Sequence, residues 1–250
     1  MNVRRLLLVL CLFGVLILIV RFSLQFIPAF VIREIRVTEN PAGYSIPASA
    51  VRVMQSWNGK NAFSFTRAEM ERALSSDPLI LKAQVRRRGA GVVAVSLRIR
   101  EADAVILCTK EGQVVDSLVV TDTGILPLAE DERDVYPERV VRVEVSDSYG
   151  QMMRHYGVDD AFRSVLAMVG SISGDTSLIT TVKYDNNSSN SFGNVVLVLE
   201  PLNALVSVRE KIDASRLSQA LEVVKREQVG SIPSREPTRY DVYGSGMVRR

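Results

Sequence analysis

Residues 77–100 read DPLILKAQVRRRGAGVVAVSLRIR, and this stretch decides the fold of the first half of the chain. Asp77-Pro78 ends the helix before it, because the proline ring disfavours helical backbone at the preceding residue. Residues 79–88 and 92–100 are then strands joined by Gly89-Ala90-Gly91, a hairpin connection. In the second strand Val93, Val95, Leu97 and Ile99 alternate with Ala94, Ser96, Arg98 and Arg100, which is the pattern of one buried and one wet face.

Upstream, Thr66 followed three residues later by Glu69 forms a capping box that opens a helix buried through Met70, Ala73 and Leu74. A shorter helix spans residues 47–57, with Pro47 at its start and Asn58-Gly59 past its end. Residues 30–38 read as a strand, with Val31, Ile35 and Val37 on one side and Glu34 and Arg36 on the other. The order over residues 30–101 is therefore β-α-α-β-β.

Downstream, strands are expected near residues 105–109, 113–116, 125–128 and 140–145, with an acidic loop at 130–134. A helix over 158–172 places Phe162, Val165, Leu166 and Val169 on one face. Strands at 178–184 and 195–199 flank an Asn/Ser-rich tip at 185–194, and the doubly apolar run Val195 to Leu199 belongs inside a sheet. A last helix over 211–228 buries Ile212, Leu217, Ala220, Leu221 and Val224, and one strand over 239–248 closes the unit. Residues 102–250 thus read as a mixed β-sheet domain with two helices. The fold class of the whole is α+β.

Residues 6–20 carry no charge and follow Arg4 and Arg5. Fifteen helical residues rise only about 22 Å, short of a hydrocarbon core of about 30 Å, but continuation through Phe22, Leu24, Phe26 and Ile27 brings the rise to about 33 Å. No pair of small residues offers a signal-peptide cleavage site near residues 21–28. The expectation is a cytoplasmic tail at 1–5 and a single uncleaved transmembrane helix at 6–27. The remainder is then expected beyond the inner membrane, in the periplasm.

The chain has 250 residues, 47% hydrophobic and 24% charged, a composition that folds. Its formal net charge of +3 is supplied by Arg4, Arg5 and Arg21, so no basic nucleic-acid binder is indicated. The balance is nevertheless polarised: residues 30–101 hold 12 basic and 6 acidic groups, residues 102–250 hold 16 and 22. Two cysteines, Cys11 and Cys108, and one histidine, His155, supply neither a disulfide framework nor a zinc site, and no catalytic set, metal or cofactor is expected. Asp122-Thr123-Gly124 spells the triplet of aspartic proteases, whose mechanism needs two carboxylates sharing a proton. One copy in an ordinary turn context favours the turn.

Gly59-Lys60-Asn61-Ala62-Phe63-Ser64-Phe65 resembles the link between the two helices of a POTRA domain, and the run from Asp77-Pro78 to Glu101-Ala102 resembles that domain's closing hairpin, with Leu79 where an aromatic is usual. Glu111-Gly112-Gln113-Val114-Val115-Asp116 and the segment from Arg239 to Val248 are similar to corresponding stretches of the FtsQ/DivIB family of bacterial cell-division proteins, with Tyr243 where arginine is common. The resemblance implies a non-enzymatic, bitopic scaffold at the division septum. Its distal β unit would bind the FtsB-type (DivIC) and FtsL small coiled-coil proteins by β-strand addition, and its POTRA unit would meet other division proteins. Carried over by position, the contact falls on Tyr240, Val242, Tyr243, Gly244, Met247 and Val248. No small-molecule substrate is implied.

A second candidate surface is a basic patch of Arg33, Arg36, Arg86, Arg87 and Arg88, joined by Arg98 and Arg100, facing anionic lipid or an acidic partner. The rival readings are a POTRA-bearing secretion or envelope-assembly adaptor and an anchored aspartic protease.

Overall fold

A computed structural model of the chain describes residues 3–24, 26–39, 43–172, 178–186, 192–229 and 236–250. The chain divides into two compact units, Met1–Arg100 and Glu101–Arg250. Both are α+β.

In the first unit, helix α1 (Val3–Leu24) precedes strand β1 (Glu34–Glu39), helices α2 (Ala48–Trp57) and α3 (Arg67–Ser75), and strands β2 (Ile80–Arg87) and β3 (Val92–Ile99). The sheet order is β1-β3-β2, with β1 parallel and β2 antiparallel to β3. Helices α2 and α3 cover one face of this sheet: Met54, Trp57, Met70 and Leu74 pack on Val85, Val93, Val95 and Leu97. The capping box at α3 is formed, with Thr66 Oγ1 accepting from Glu69 N–H at 3.2 Å and Glu69 Oε2 accepting from Thr66 N–H at 2.6 Å. Asp77 does more than stop the helix. Its buried carboxylate accepts from the Leu79 amide at 2.8 Å and from the Ser49 hydroxyl, tying the end of α3 to the start of α2.

The expected transmembrane helix over 6–27 is overturned. Helix α1 ends at Leu24, and among the described residues no helix is long and apolar enough to cross a membrane. The physical reason is the charge spacing: the uncharged run is bounded by Arg5 and Arg21, and its fifteen residues rise about 22 Å against a core of about 30 Å. Phe26 and Ile27, which the longer reading needed, lie beyond the helix. With the anchor go the single-pass inner-membrane location, the cytoplasmic tail at 1–5 and the periplasmic, septal placement of the bulk.

The second unit is a nine-stranded mixed sheet in the order β12-β11-β10-β9-β8-β7-β4-β5-β6. Its strands are β4 (Ala102–Lys110), β5 (Gln113–Thr121), β6 (Gly124–Pro127), β7 (Val141–Ser146), β8 (Thr181–Asp185), β9 (Asn194–Leu199), β10 (Ala204–Val208), β11 (Thr238–Val242) and β12 (Met247–Arg249). The pairs β4/β7, β7/β8 and β10/β11 are parallel, and helical crossovers make each of the last two connections. The core lies between the sheet and helices α4 (Asp147–Tyr156), α5 (Asp160–Gly170) and α6 (Ala214–Gln228).

The unit therefore holds three helices among the described residues, where two were expected. Helix α4 was missed although Tyr149, Met152, Met153 and Tyr156 fall at helical spacing behind a Ser146 cap. Gly150 in the middle of that run weakens its helical signal, and its reason is contact: a Cβ there would stand 2.2 Å from Cys108 Sγ, so only glycine lets α4 lie against β4. Strand β9 is interior as expected, its second face half-buried at Val196 and Val198. Strand β10 was not foreseen, and part of the hairpin tip expected at 185–194 lies outside the described residues.

Candidate functional site

A sheet edge can bind an extended chain only where its main-chain groups point outward unmatched, and the four edges of the two sheets differ in what they offer. At β2, Arg88 N–H donates to Val92 O at 2.9 Å, which sets Arg86/Ala94, Gln84/Ser96 and Lys82/Arg98 as hydrogen-bonded pairs and turns Val85 outward. The Val85 amide is already taken: Glu71 Oε1 of α3 accepts it at 2.9 Å and is held there by Arg67 Nε at 2.7 Å. The middle outward amide of this edge is thus occupied from within.

At β6 the bond from Leu128 N–H to Ser117 O, 2.9 Å, puts Ile125 and Pro127 on the outer side. Pro127 has no N–H, so this four-residue edge offers a single amide donor. Strand β1 runs beside α2, with a groove of about 260 Å³ floored by Ile35, Val37, Val51 and Met54.

Strand β12 is different. Tyr243 and Gly246 exchange both backbone bonds, at 2.8 and 3.3 Å, and Arg250 N–H donates to Arg239 O at 2.8 Å. Pairs in this phase are bonded to β11, whereas Met247, opposite Val242, and Arg249, opposite Tyr240, are the non-bonded pairs. Their N–H and C=O groups face away from β11. No strand pairs with β12 on that side among the described residues.

The segment 239–248, expected as one edge strand, is therefore a hairpin, and the six carried-over residues separate into distinct roles. Tyr240 and Val242 lie in β11 between β10 and β12, both fully buried. Tyr240 donates its hydroxyl to Glu227 Oε2 and accepts from Gln228 Nε2, each at 2.9 Å, which fastens β11 to α6. Burial pushes the Tyr240 phenol above its usual range. Tyr243 and Gly244 form the turn, held by Arg216 Nε on the Tyr243 carbonyl at 3.4 Å and by the Glu210 carboxylate on the Gly244 amide. Only Met247 and Val248 belong to the edge strand; Met247 packs on the core and Val248 is 53% exposed.

Sequence reasoning missed Asp241 as the organising residue of this edge. It is 3% exposed, Oδ1 accepts from Arg209 Nε at 2.8 Å, and Oδ2 meets the Arg250 guanidinium as an ion pair lacking hydrogen-bond geometry. An aspartate between apolar strand residues, with arginines five residues before α6 and eight after β11, was the available signal.

The basic patch is also redistributed. Arg36 is held in both nitrogens by Glu34, at 2.6 and 3.0 Å. Arg87 points to the helix side, donating to the carbonyls of Ala62 at 2.9 Å and Phe65 at 2.6 Å and lying 4.8 Å from the Phe63 ring centroid. It is a clamp on the 59–65 link. Asn61 of that link caps the end of α1, donating to the carbonyls of Leu24 and Ile27, both at 3.2 Å, while accepting from Phe63 N–H. Arg33, Arg86 and Arg88 are exposed.

Asp122 is exposed in the β5–β6 turn, which the Thr121 hydroxyl closes through Thr123 and the Gly124 carbonyl, both at 3.0 Å. A cleft of about 670 Å³ beside it is lined by Asp103, Arg163, Val158 and Leu166. His155 sits in the last turn of α4, with Nδ1 3.0 Å from the Gln151 carbonyl. Cys108 is buried under Gly150, and burial, with Asp116 and Asp147 nearby, pushes its thiol up to about 11. Among the described residues no group of three or more His, Cys, Asp or Glu side chains is placed to hold a metal ion.

No family model matches the chain, and no curated protein matches it.

Proposed function

We propose that this protein is a non-enzymatic scaffold of the FtsQ/DivIB type that takes an extended segment of an FtsB- or DivIC-type coiled-coil division partner as a tenth strand beside β12. The observation that carries the reading is the outward direction of the Met247 and Arg249 main-chain groups, at an edge with neither an amide occupied as Val85 of β2 is by Glu71 nor a proline as β6 has at Pro127. Main-chain bonds supply affinity in such an arrangement and alternate side chains supply choice of partner. Val248, exposed on the sheet face away from the helices, is the side chain on this strand positioned to choose.

The test replaces Met247 by proline, which removes an outward donor while leaving the bonds to β11 in place. Titration of a soluble FtsB/DivIC-type segment into the full chain should lose binding with Met247→Pro and keep it with Ile125→Pro on β6. Equal affinity of Met247→Pro and the parent chain would contradict the proposal.

One observation favours a second reading, an assembly adaptor that holds client strands: the apolar groove beside the β1 edge. It parts from the first on the same titration, since Val37→Asp would abolish capture of an apolar extended peptide there and leave the β12 partner bound.

A further inference from the structure

The outer face of the three-stranded sheet in the first unit carries an arrangement that its own stability does not favour. Lys82 on β2 and Arg98 on β3 stand directly opposite one another in a hydrogen-bonded pair. Like charges so placed destabilise a sheet. Alternation puts Lys82, Gln84, Arg86 and Arg88 of β2 on this face, because Ala83 and Val85 point into the core; likewise Ala94, Ser96 and Arg98 of β3 share it, because Val93, Val95 and Leu97 point inward.

Lys82, Arg86, Arg88 and Arg98 are exposed and make no ion pair among the described residues. Glu34 is the one carboxylate on this face among the described side chains, and both its oxygens are spent on Arg36. Between the cations the residues are small: Ala94, in register with Arg36 on one side and Arg86 on the other, is buried beneath its neighbours at 6% exposed, and the partly exposed Ser96 follows it. Four cations that make no ion pair among the described residues, two of them directly opposed, add nothing to the stability of the sheet itself, which makes this face a candidate for a negatively charged ligand.

We propose that this face is a docking surface for an acidic, extended segment of a partner polypeptide. Same-face residues of β2 recur every two positions, about 6.8 Å apart, and the carboxylates on one side of an extended chain recur at that same interval. The cations on this face meet its alternate acidic side chains. This surface belongs to the first unit and does not depend on the β12 reading.

The test uses the full chain and two probes: a peptide alternating glutamate with threonine, and vesicles of phosphatidylglycerol in phosphatidylcholine. The peptide should bind at low salt and weaken as ionic strength shortens the screening length to about 10 Å at 0.1 M. The triple variant Lys82→Gln, Arg86→Gln, Arg98→Gln, which keeps polar side chains and relieves the like-charge pair, should fold and bind on the order of tenfold more weakly. Glu34→Gln frees the Arg36 guanidinium and should tighten binding, a change of sign that a merely structural role of these residues does not produce. Undiminished peptide binding by the triple variant, or vesicle binding in the absence of peptide binding, would overturn the proposal.

Discussion

The buried carboxylate of Asp241 on β11 is ion-paired with Arg250, immediately beyond β12, and hydrogen-bonded to Arg209 at the end of β10. One side chain thereby joins three successive segments of the sheet at its candidate binding edge. Strand β12 is only three residues long, so its order rests on this pairing, on the Tyr243–Gly246 turn and on Arg249, 3.8 Å from Glu227.

Replacing Asp241 by asparagine should release β12 before it unfolds the unit. The two arginines are partly exposed and can rehydrate, so the expected cost is about 1–3 kcal/mol, the range for weakening one buried charged hydrogen bond and its adjoining ion pair. Amide exchange should rise first at Val248, whose bonds to Asp241 hold the hairpin together.

Helix α4 meets β4 through Gly150 and Cys108. Gly150→Ala should destabilise the second unit by about 1–3 kcal/mol, and Cys108→Ala in the same chain should recover part of that loss. The thiol also predicts an alkaline effect. Its folded value of about 11 lies above the ordinary thiol value of 9.0, so its contribution is complete below pH 9, falls as the unfolded thiol ionises, and is lost by pH 11. Denaturant titrations across that window should show a smaller decline in Cys108→Ala than in the parent chain.

Glu71 guards the β2 edge. Glu71→Ala should leave the Val85 amide open and produce more self-association, visible by sedimentation, than the parent chain shows. The bonds from Val85 and Arg67 hold this carboxyl below its usual value against the opposing effect of burial. Its contribution is present above the ordinary glutamate range and is lost as pH falls through the lower folded value, so acid should expose the same edge in the parent chain.

Neighbouring arginines should behave oppositely. Arg87→Ala removes two carbonyl bonds and a contact with the Phe63 ring, at a cost of about 1–3 kcal/mol. Arg86→Ala, on the outer face, should change thermal stability by less than about 0.5 kcal/mol.

The sequence made the first unit readable because its signals are local. The Thr66–Glu69 box, the Asp77-Pro78 stop and the strict alternation through Val93, Val95 and Leu97 each specify one element without outside help. The second unit was read less well where burial depends on distant neighbours. Strand β10 is five residues of mixed character whose identity comes from being paired on both sides, and α4 hides its period behind a glycine that packing demands. The edge was misread for a similar reason: Gly244-Ser245-Gly246 is a hairpin turn, and taking residues 239–248 as one strand placed the buried Tyr240 and Val242 on an open margin. At the N-terminus an apolar run was extended past Arg21 to Ile27, whereas the helix runs from Val3 to Leu24 and is not long and apolar enough to cross a membrane. Partner choice among arginines is likewise invisible in sequence, since Arg86 and Arg87 differ only in the face to which alternation assigns them.

The central claim is tested most directly by hydrogen exchange at two amides. On adding a soluble FtsB/DivIC-type segment to the full chain, the Met247 and Arg249 amides should pass from unprotected to protected while Ile125 on β6 stays unchanged. Binding of that segment with Met247 and Arg249 still exchanging freely would contradict strand addition at β12.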